Sequence, residues 1–382
     1  MPRFSVLLPT HNRADVLPFA IKSVLAQSER DFELLIVGDG CTDDTAAVVA
    51  QFDDTRIRWF DLPKAPYYGY ANRNVALKQA QGTLIAFAAH DDLLFPDHLA
   101  LLSRRLEEAG ADWVYSRPLV ASAQGVVIPL SGNLHNPDEL DAFLQDGNFI
   151  PASCVLHRRS CLEESGYWPE DIPAAADWHL WRRMIEQGSR RNFAYEPVPT
   201  TVHFKAQWRS NLAPAPPAFV AMASTAVWWP AALKVPVGPH ESEQAAIGRA
   251  LEDPAWVDRA RRGVTLVIER MAWDHAIHCL HLGRGVSGET MALGRLLTWR
   301  GSRLARFAQQ VKAAIDAALG RAPPALRPPD FSEHDYLAAN PDVAVAVASG
   351  DLPSGFEHWR RCGWRERRPL RPAAGGRSGN QA

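Results

Sequence analysis

Short apolar runs alternate with helical periodicities over the first two hundred residues. Phe4-Ser5-Val6-Leu7-Leu8 has the composition of a buried strand and is closed by Pro9. Val16, Leu17, Ala20, Ile21, Val24 and Leu25 then recur at helical spacing behind Asp15, a residue suited to an N-cap. Phe32 to Val37 reads as a second strand, and Thr42-Asp43-Asp44-Thr45 opens a second helix with acidic residues in its first turn. Further strands are expected over Ile57 to Phe60, Leu84 to Phe87 and Trp113 to Tyr115. Helices are expected over Ala71 to Ala80 and from Pro96, which is placed as a first-turn proline. Strands separated by helices predict an α/β fold: a mainly parallel sheet, right-handed crossovers, and helices on both faces.

The pattern changes after about residue 205. Three prolines within 213–217 read as a domain edge, and Trp256 to Leu282 carries the spacing of a long amphipathic helix. A further helix is expected over Leu304 to Leu319, and four prolines mark a linker at 321–330. The expected organisation is a domain over 1–212, a helical region over 213–320, the linker, a small module over 331–371 and a disordered tail over 372–382.

Charge and cysteine usage narrow the function classes. With 41 basic and 43 acidic residues the net charge is −2, which argues against nucleic acid as a partner. The five cysteines show no C-x-x-C spacing, so they read as reduced thiols and not as a disulfide frame or zinc site. The apolar stretch Phe219 to Val237 is interrupted by Ser224, Pro230, Lys234 and Pro236, and no signal-peptide pattern precedes the first strand. A soluble cytoplasmic protein is expected.

In open α/β sheets, ligands bind beyond the carboxyl ends of the strands. Three polar clusters fall at such ends: Pro9-Thr10-His11-Asn12-Arg13, Gly38-Asp39-Gly40-Cys41-Thr42 and His90-Asp91-Asp92. Any one alone is compatible with an ordinary loop; three at one edge point to a cleft. The dinucleotide fingerprint is absent, because the first turn has no glycine and Gly38-x-Gly40 follows the second strand. A nucleotide diphosphate with a metal fits better. Mg²⁺ and Mn²⁺ prefer carboxylate oxygens and share their shell with substrate phosphates, a role open to Asp91 and Asp92. The glycines beside Asp39 let a base or ribose approach it closely.

These clusters carry a resemblance. Val6 to Arg13, Ile36 to Thr45 and Ala71-Asn72-Arg73-Asn74 resemble family 2 glycosyltransferases of the GT-A fold. Ile85 to Asp97 falls where that family has its D-x-D metal motif, and Ala176-Asp177-Trp178-His179-Leu180-Trp181-Arg182-Arg183 resembles its E-D-W-x-L-W-x-R segment. The resemblance covers roughly residues 3–205. It implies inverting, metal-assisted transfer of a sugar from a nucleotide diphosphate to a hydroxyl acceptor, such as a glycan or glycolipid, in bacterial surface glycan synthesis. By position, the nucleotide is expected against Pro9, Thr10, Arg13, Asp39, Arg73 and His90. The Mn²⁺ or Mg²⁺ is expected on Asp91 and Asp92, and Asp177 is expected to be the general base. His203 is a further candidate metal or phosphate contact. Three positions depart from the pattern: Ala89 replaces the first D-x-D aspartate, Ala176 the glutamate before Asp177, and Gly38 the aspartate before Asp39. They define a competing class, a catalytically weakened nucleotide-sugar or glycan-binding scaffold.

Two other clusters sit outside that cleft. His275, His278 and His281 are spaced three apart on the Trp256 helix, and a solvated or interface face is the default reading. Arg360, Arg361, Arg365, Arg367, Arg368 and Arg371 make the tail basic. They offer peripheral contact with anionic lipid at the inner membrane face, or with an acidic partner. The tail also resembles a small module attached to some bacterial surface-associated proteins and glycosyltransferases.

Overall fold

The computed structural model describes residues 1–130, 132–145, 147–187, 193–204, 223–282, 331–348, 354–359 and 368–372, with side chains of 138, 271–282 and 357 excepted. The expected helix over 304–319, both proline-rich linkers, the side chains of the His275 cluster, and Arg360, Arg361, Arg365 and Arg367 lie outside the described residues.

One sheet runs through the N-terminal unit. Its strands are β1 (Phe4–Thr10), β2 (Phe32–Asp39), β3 (Ile57–Leu62), β4 (Leu84–Phe87), β5 (Leu93–Leu94), β6 (Trp113–Ala121), β7 (Val127–Pro129), β8 (Val155–Arg158) and β9 (Phe193–Phe204). The order is β3-β2-β1-β4-β8-β6-β9-β5, with β7 on β6. The first four strands in that order are parallel, as their helical connections require. Beyond them β8 runs antiparallel to both β4 and β6, so the far half of the sheet is mixed. The helices are α1 (Leu17–Leu25), α2 (Thr45–Ala50), α3 (Tyr70–Leu77), α4 (His98–Glu108), α5 (Pro137–Gln145), α6 (Ser160–Ser165) and α7 (Ala176–Gln187). α8 (Glu243–Leu251) and α9 (Pro254–Leu282) follow.

Strand alternation splits the core between the two faces. Phe4, Val6, Leu8, Leu34, Ile36 and Ala86 join a cluster with α1 and α4. Leu7, Leu35, Val37, Ile85 and Phe87 join one with α3 and α7. α8 and the first half of α9 pack with Leu93, Leu119, Val127 and Val202 in a third cluster. The Arg261 guanidinium on α9 grips the Asp97 carboxylate through two 2.7 Å bonds.

Two expected helix starts move. Asp15 does not cap α1, because Arg13 holds its carboxylate at 3.0 Å and α1 begins at Leu17. α4 begins at His98, two residues past Pro96, whose carbonyl accepts from Ser28 N. The expected acidic first turn of α2 is not formed: the helix begins at Thr45 with no acidic residue in that turn, and just ahead of it stands Asp43. Its carboxylate accepts from Ala14 N at 3.0 Å and from the Thr45 N and Oγ1 at 3.1 and 2.5 Å.

The second unit holds the C-terminal module, described by itself. α10 (Glu333–Ala339), α11 (Pro341–Ala348) and α12 (Gly355–His358) enclose Phe331, Tyr336, Val343 and Trp359. Glu333 accepts from Phe356 N at 3.0 Å, which ties α12 to α10 across the small core.

Two histidines of the first unit are fully buried. His98 meets Thr200 Oγ1 at 2.9 Å, and His157 meets the Arg158 carbonyl at 2.7 Å beside Phe87. Burial pushes each down to about 4. Protons therefore bind the unfolded chain first, near pH 6.5, and stability present above that pH is lost as pH falls toward 4. The full loss is up to ~3 kcal/mol per histidine. Urea unfolding between pH 7 and 5 should show a slope of about one proton per histidine, and His157→Gln should remove one of them. An unchanged slope in that variant would refute the assignment.

Candidate active site

The carboxyl edge of β1, β2 and β4 gathers the polar clusters. Asp39 ends β2, with its residue 5% exposed. Oδ1 accepts from Ala65 N at 2.8 Å and from Asn72 Nδ2 at 2.7 Å, and Oδ2 accepts from Lys64 Nζ at 2.6 Å. Gly69 enters α3 at φ +71°, and a Cβ there would lie 2.5 Å from the Asp39 carboxylate. Its absence of a side chain is thus required by both conformation and space. The β1 and β2 loops are tied together. His11 Nδ1 meets the Asp39 carbonyl at 2.7 Å, and Asn12 Oδ1 accepts from Thr42 N at 2.7 Å.

A charged group lies at the ends of β1 and β4. The Arg13 guanidinium stands 3.8 Å from Asp91 Oδ2, and His90 Nε2 stands 3.9 Å from the same oxygen. Burial raises the Asp91 carboxyl above the usual range, against the opposing pull of His90, His203 and Arg13. Burial likewise lowers His90. Among the described residues, three buried polar atoms here have no hydrogen-bond partner: Thr10 Oγ1, Arg13 Nη1 and His90 Nδ1. Buried polar groups are rarely left unmatched, and these three lie close to one sheet edge.

α7 packs on the sheet face that carries Leu7, Ile85 and Phe87. Leu180, Trp181, Met184 and Ile185 are buried, and the Trp181 ring packs against Phe87, Trp113 and Trp168. Trp178 Nε1 donates to the Phe143 carbonyl at 2.7 Å. Asp177 sits in the first turn of this fixed helix. Its carboxylate accepts from Trp178 N and from Asn148 Nδ2, both at 2.8 Å. Burial raises its pKa, opposed by the Trp178 amide and the charges of Arg73 and His203.

Arg73 connects the halves. Its guanidinium lies over Trp168 at 4.7 Å and Tyr70 at 5.1 Å, and its charge acts on both Asp177 and His90. Its neighbours are structural: Asn72 holds Asp39, while Asn74 bonds the Trp168 carbonyl at 2.8 Å and amide at 3.1 Å.

Of the expected site residues, Arg13, His90, Asp91, Arg73 and Asp177 are linked by direct ion pairs or mutual electrostatic influence. Pro9, Thr10 and Asp39 sit at the same carboxyl edge, where Pro9 pairs with Val37 and Thr10 with Gly38. Asp92 differs from its neighbour. It is 1% exposed, and its two oxygens accept from Ser153 Oγ, His203 Nδ1 and Phe204 N. Sequence reasoning gave no role to Lys64, Asn72 or Asn148. Asn72 had a legible signal, its place in Asn72-Arg73-Asn74; Lys64 and Asn148 lie on loops without one. Gly38 also gains a reason: a Cβ there would collide with the Trp59 ring.

Residues 5–166 match the family described as Glycosyl transferase family 2. An uncharacterized glycosyltransferase of Rickettsia felis is 38% identical over 196 residues, 49% of this chain and 31% of that protein. The GalNAc(5)-diNAcBac-PP-undecaprenol beta-1,3-glucosyltransferase of Campylobacter jejuni is 37% identical over 113 residues, 29% of this chain and 37% of that one. The chain thus spans about a third of the length of these two relatives. The crystal structure of S. aureus TarS 1-349 in complex with UDP-GlcNAc is similar at a TM-score of 0.46, with 21% identity over 58% of this chain and 64% of that chain. The match lies within the N-terminal unit, whose mixed sheet carries helices on both faces.

The Asp39 cradle yields a direct test. Gly69→Ala places a side chain in the left-handed region, at a cost of about 1–2 kcal/mol, and drives it into the carboxylate. Urea denaturation should show at least that loss, and a variant as stable as the parent would contradict the packing described here.

Proposed function

We propose that this chain transfers a sugar from a nucleotide-diphosphate donor to a hydroxyl acceptor, with inversion and with help from a divalent cation. The observation that carries the reading is the set of orphaned buried polar atoms on Thr10, Arg13 and His90, beside carboxyls on Asp91 and Asp177 whose ionisation burial resists. Such a site is short of partners that a diphosphate and a hydroxyl would supply.

Asp39, held by Asn72 and Lys64, receives the base or ribose at the β2 end. Thr10, Arg13 and Arg73 face the phosphates, where two guanidinium charges offset the charge that grows on the leaving diphosphate. For the cation, the fit is partial and chemically suitable. The contacts of the Asp91 carboxylate are ion pairs at 3.8 and 3.9 Å, longer than hydrogen bonds. Among the described residues no group of three or more His, Cys, Asp or Glu converges to hold a metal alone. Asp91, with His203 alongside, would therefore share a Mn²⁺ or Mg²⁺ with donor phosphates. A cation bound there supplies charge neutralisation at the leaving group. Asp177 takes the proton of the acceptor hydroxyl, and its raised pKa makes it a stronger base than an exposed aspartate.

The Campylobacter relative is named for an undecaprenol-diphosphate-linked sugar, as is an Escherichia coli relative 29% identical over 123 residues, 32% of this chain and 48% of that protein. These names support a lipid-linked glycan as acceptor, and hence a role in bacterial surface glycan synthesis at the inner membrane face. No helix among the described residues is long and apolar enough to cross a membrane.

Asp177→Asn separates transfer from mere binding, because asparagine keeps a side-chain oxygen that can accept from Trp178 N or Asn148 Nδ2. Turnover should fall by roughly two decades or more while melting temperature and nucleotide affinity stay near wild type. The acid limb of the wild-type pH profile should lie above the usual carboxylate range, since the base works only when ionised. Near-normal transfer by Asp177→Asn would remove it as the base. Absence of donor turnover in wild type with Mn²⁺, despite nucleotide binding, would favour the scaffold reading that Ala89 and Ala176 raise.

The cation role has its own measurement. Calorimetry with a nucleoside diphosphate should show weaker binding in chelator than in Mn²⁺, and Asp91→Asn should reproduce the chelator value. Equal affinity in both conditions would exclude the role.

A further inference from the structure

The segment ahead of α8 is pinned to the first unit yet exposes the tip of one turn. Ala223, Trp229, Leu233 and Val235 are buried in the third cluster beside Leu119 and Val127. Lys234 Nζ donates to the Ser224 and Ala226 carbonyls, both at 2.9 Å, and Trp229 N donates to the Ala226 carbonyl at 3.2 Å. These bonds fix a turn whose tip is Val227-Trp228. Val227 is 101% exposed and Trp228 38%. α9 comes close to the turn at Gly263, where a Cβ would lie 3.0 Å from Pro230 Cβ and 3.3 Å from Leu233 Cγ. Farther along α9, the Arg270 guanidinium lies 5.8 Å from the centroid of the Trp228 ring. Leu266, 59% exposed, sits one helical turn before Arg270. At 3.6 residues per turn, positions 259, 262, 266 and 270 fall within about 80° of the helix circumference. Leu266 is therefore bracketed by arginines, of which Arg259 is paired with Asp253 at 3.3 Å, while Asp258 and Glu269 lie toward one flank.

We propose that the Val227-Trp228 turn and the outer face of α9 around Leu266 form a docking surface for an anionic lipid bilayer. The inference names a surface for the membrane-face placement proposed above and does not rest on the sugar-transfer chemistry. A side chain as exposed as Val227 projects from a convex turn. Fluid hydrocarbon receives such a knob without a matching pocket, whereas the core of a protein interface needs close shape complementarity. Tryptophan suits the boundary, because its ring is apolar and its N–H is polar. The basic groups nearest these apolar residues are Arg262, Arg270 and Lys234, which complement phosphate headgroups at the same depth. The clamp by Lys234 and the burial of Trp229 hold the tip in place, so little ordering is lost on contact. Among the described residues no helix can cross a membrane, so the contact is interfacial.

Flotation of the full chain with vesicles tests the surface, comparing phosphatidylcholine that contains phosphatidylglycerol with phosphatidylcholine alone. Wild type should float with the anionic vesicles and far less with the neutral ones. Val227→Asp should lower partitioning onto anionic vesicles roughly tenfold or more. Arg262→Glu should lower it roughly fivefold or more, with no loss on neutral vesicles. Both variants should keep the wild-type melting temperature, because both side chains are exposed. Should Val227→Asp melt early, Leu266→Asp on α9 makes the same test. Wild type that stays in the soluble fraction with anionic vesicles overturns the proposal, and so does binding that the variants retain in full. A dimer that Val227→Asp dissociates, in a chain that binds no vesicles, assigns the patch to a second copy and also overturns it. Flotation involves no sugar transfer, so failure of the transferase reading at Asp177 would leave this result standing. A wild type that transfers sugar but does not float overturns this inference alone.

Discussion

Taking carboxylates out of water at one edge of a sheet is the constraint on which the rest of the molecule turns. An isolated buried carboxylate is strongly unfavourable, so each must be neutralised, hydrogen-bonded or left to a ligand. Asp39 and Asp92 are satisfied within the protein, by Lys64, Asn72 and Ala65 in one case and His203, Ser153 and Phe204 in the other. Asp91 is not: its cationic neighbours stand beyond hydrogen-bond distance and its pKa is raised. Asp177 keeps two donors but is raised as well. The first pair is fixed by the protein's own donors, whereas burial resists ionisation of the second.

That division depends on rigid backbone. Parallel pairing of β1 with β2 and β4 brings the three loops to one edge, and buried aromatic packing around Trp181 seats α7 opposite them. Asp177 gains its position from this helix, since its own bonds are local to Trp178 and the 148 loop. Glycines act at the closest approaches. Gly69 lets α3 begin against Asp39, and Gly38 leaves room for the Trp59 ring.

The parallel half of the fold was legible because it is local. Strand runs such as Phe4 to Leu8 and helical spacing such as Val16 to Leu25 carry their own periods, and parallel order follows from the helices between them. The mixed half was not, because β8 reverses direction through long-range pairing with β4 and β6 that no period encodes. The same limit applies at the site. Residue types at strand ends singled out Asp39 and Asp91, and the resemblance singled out Arg73, but nothing in Asp91-Asp92 says that the second pairs with a residue 111 positions away. Lys64 and Asn148 were invisible for a related reason: loops that deliver one side chain have no repeating pattern. Helix starts slipped where competing bonds were stronger, as when Arg13 took the carboxylate of Asp15.

The departures from the family pattern then take on physical meaning. Ala176 is buried at the start of α7 in the cluster with Trp181, and a glutamate there would bring one more buried carboxylate to a site that already strains to ionise Asp177. Gly38 cannot gain a side chain until Trp59 moves, so an aspartate there is excluded by packing and not merely missing. Ala89 removes a negative charge two residues from Asp91. Fewer carboxylates lower the mutual repulsion that opposes ionisation of those that remain. They also lower the attraction for any cation. On the transferase reading proposed above, such a cleft would rely on Arg13 and Arg73 for a larger share of diphosphate neutralisation than a cleft with a complete acidic motif.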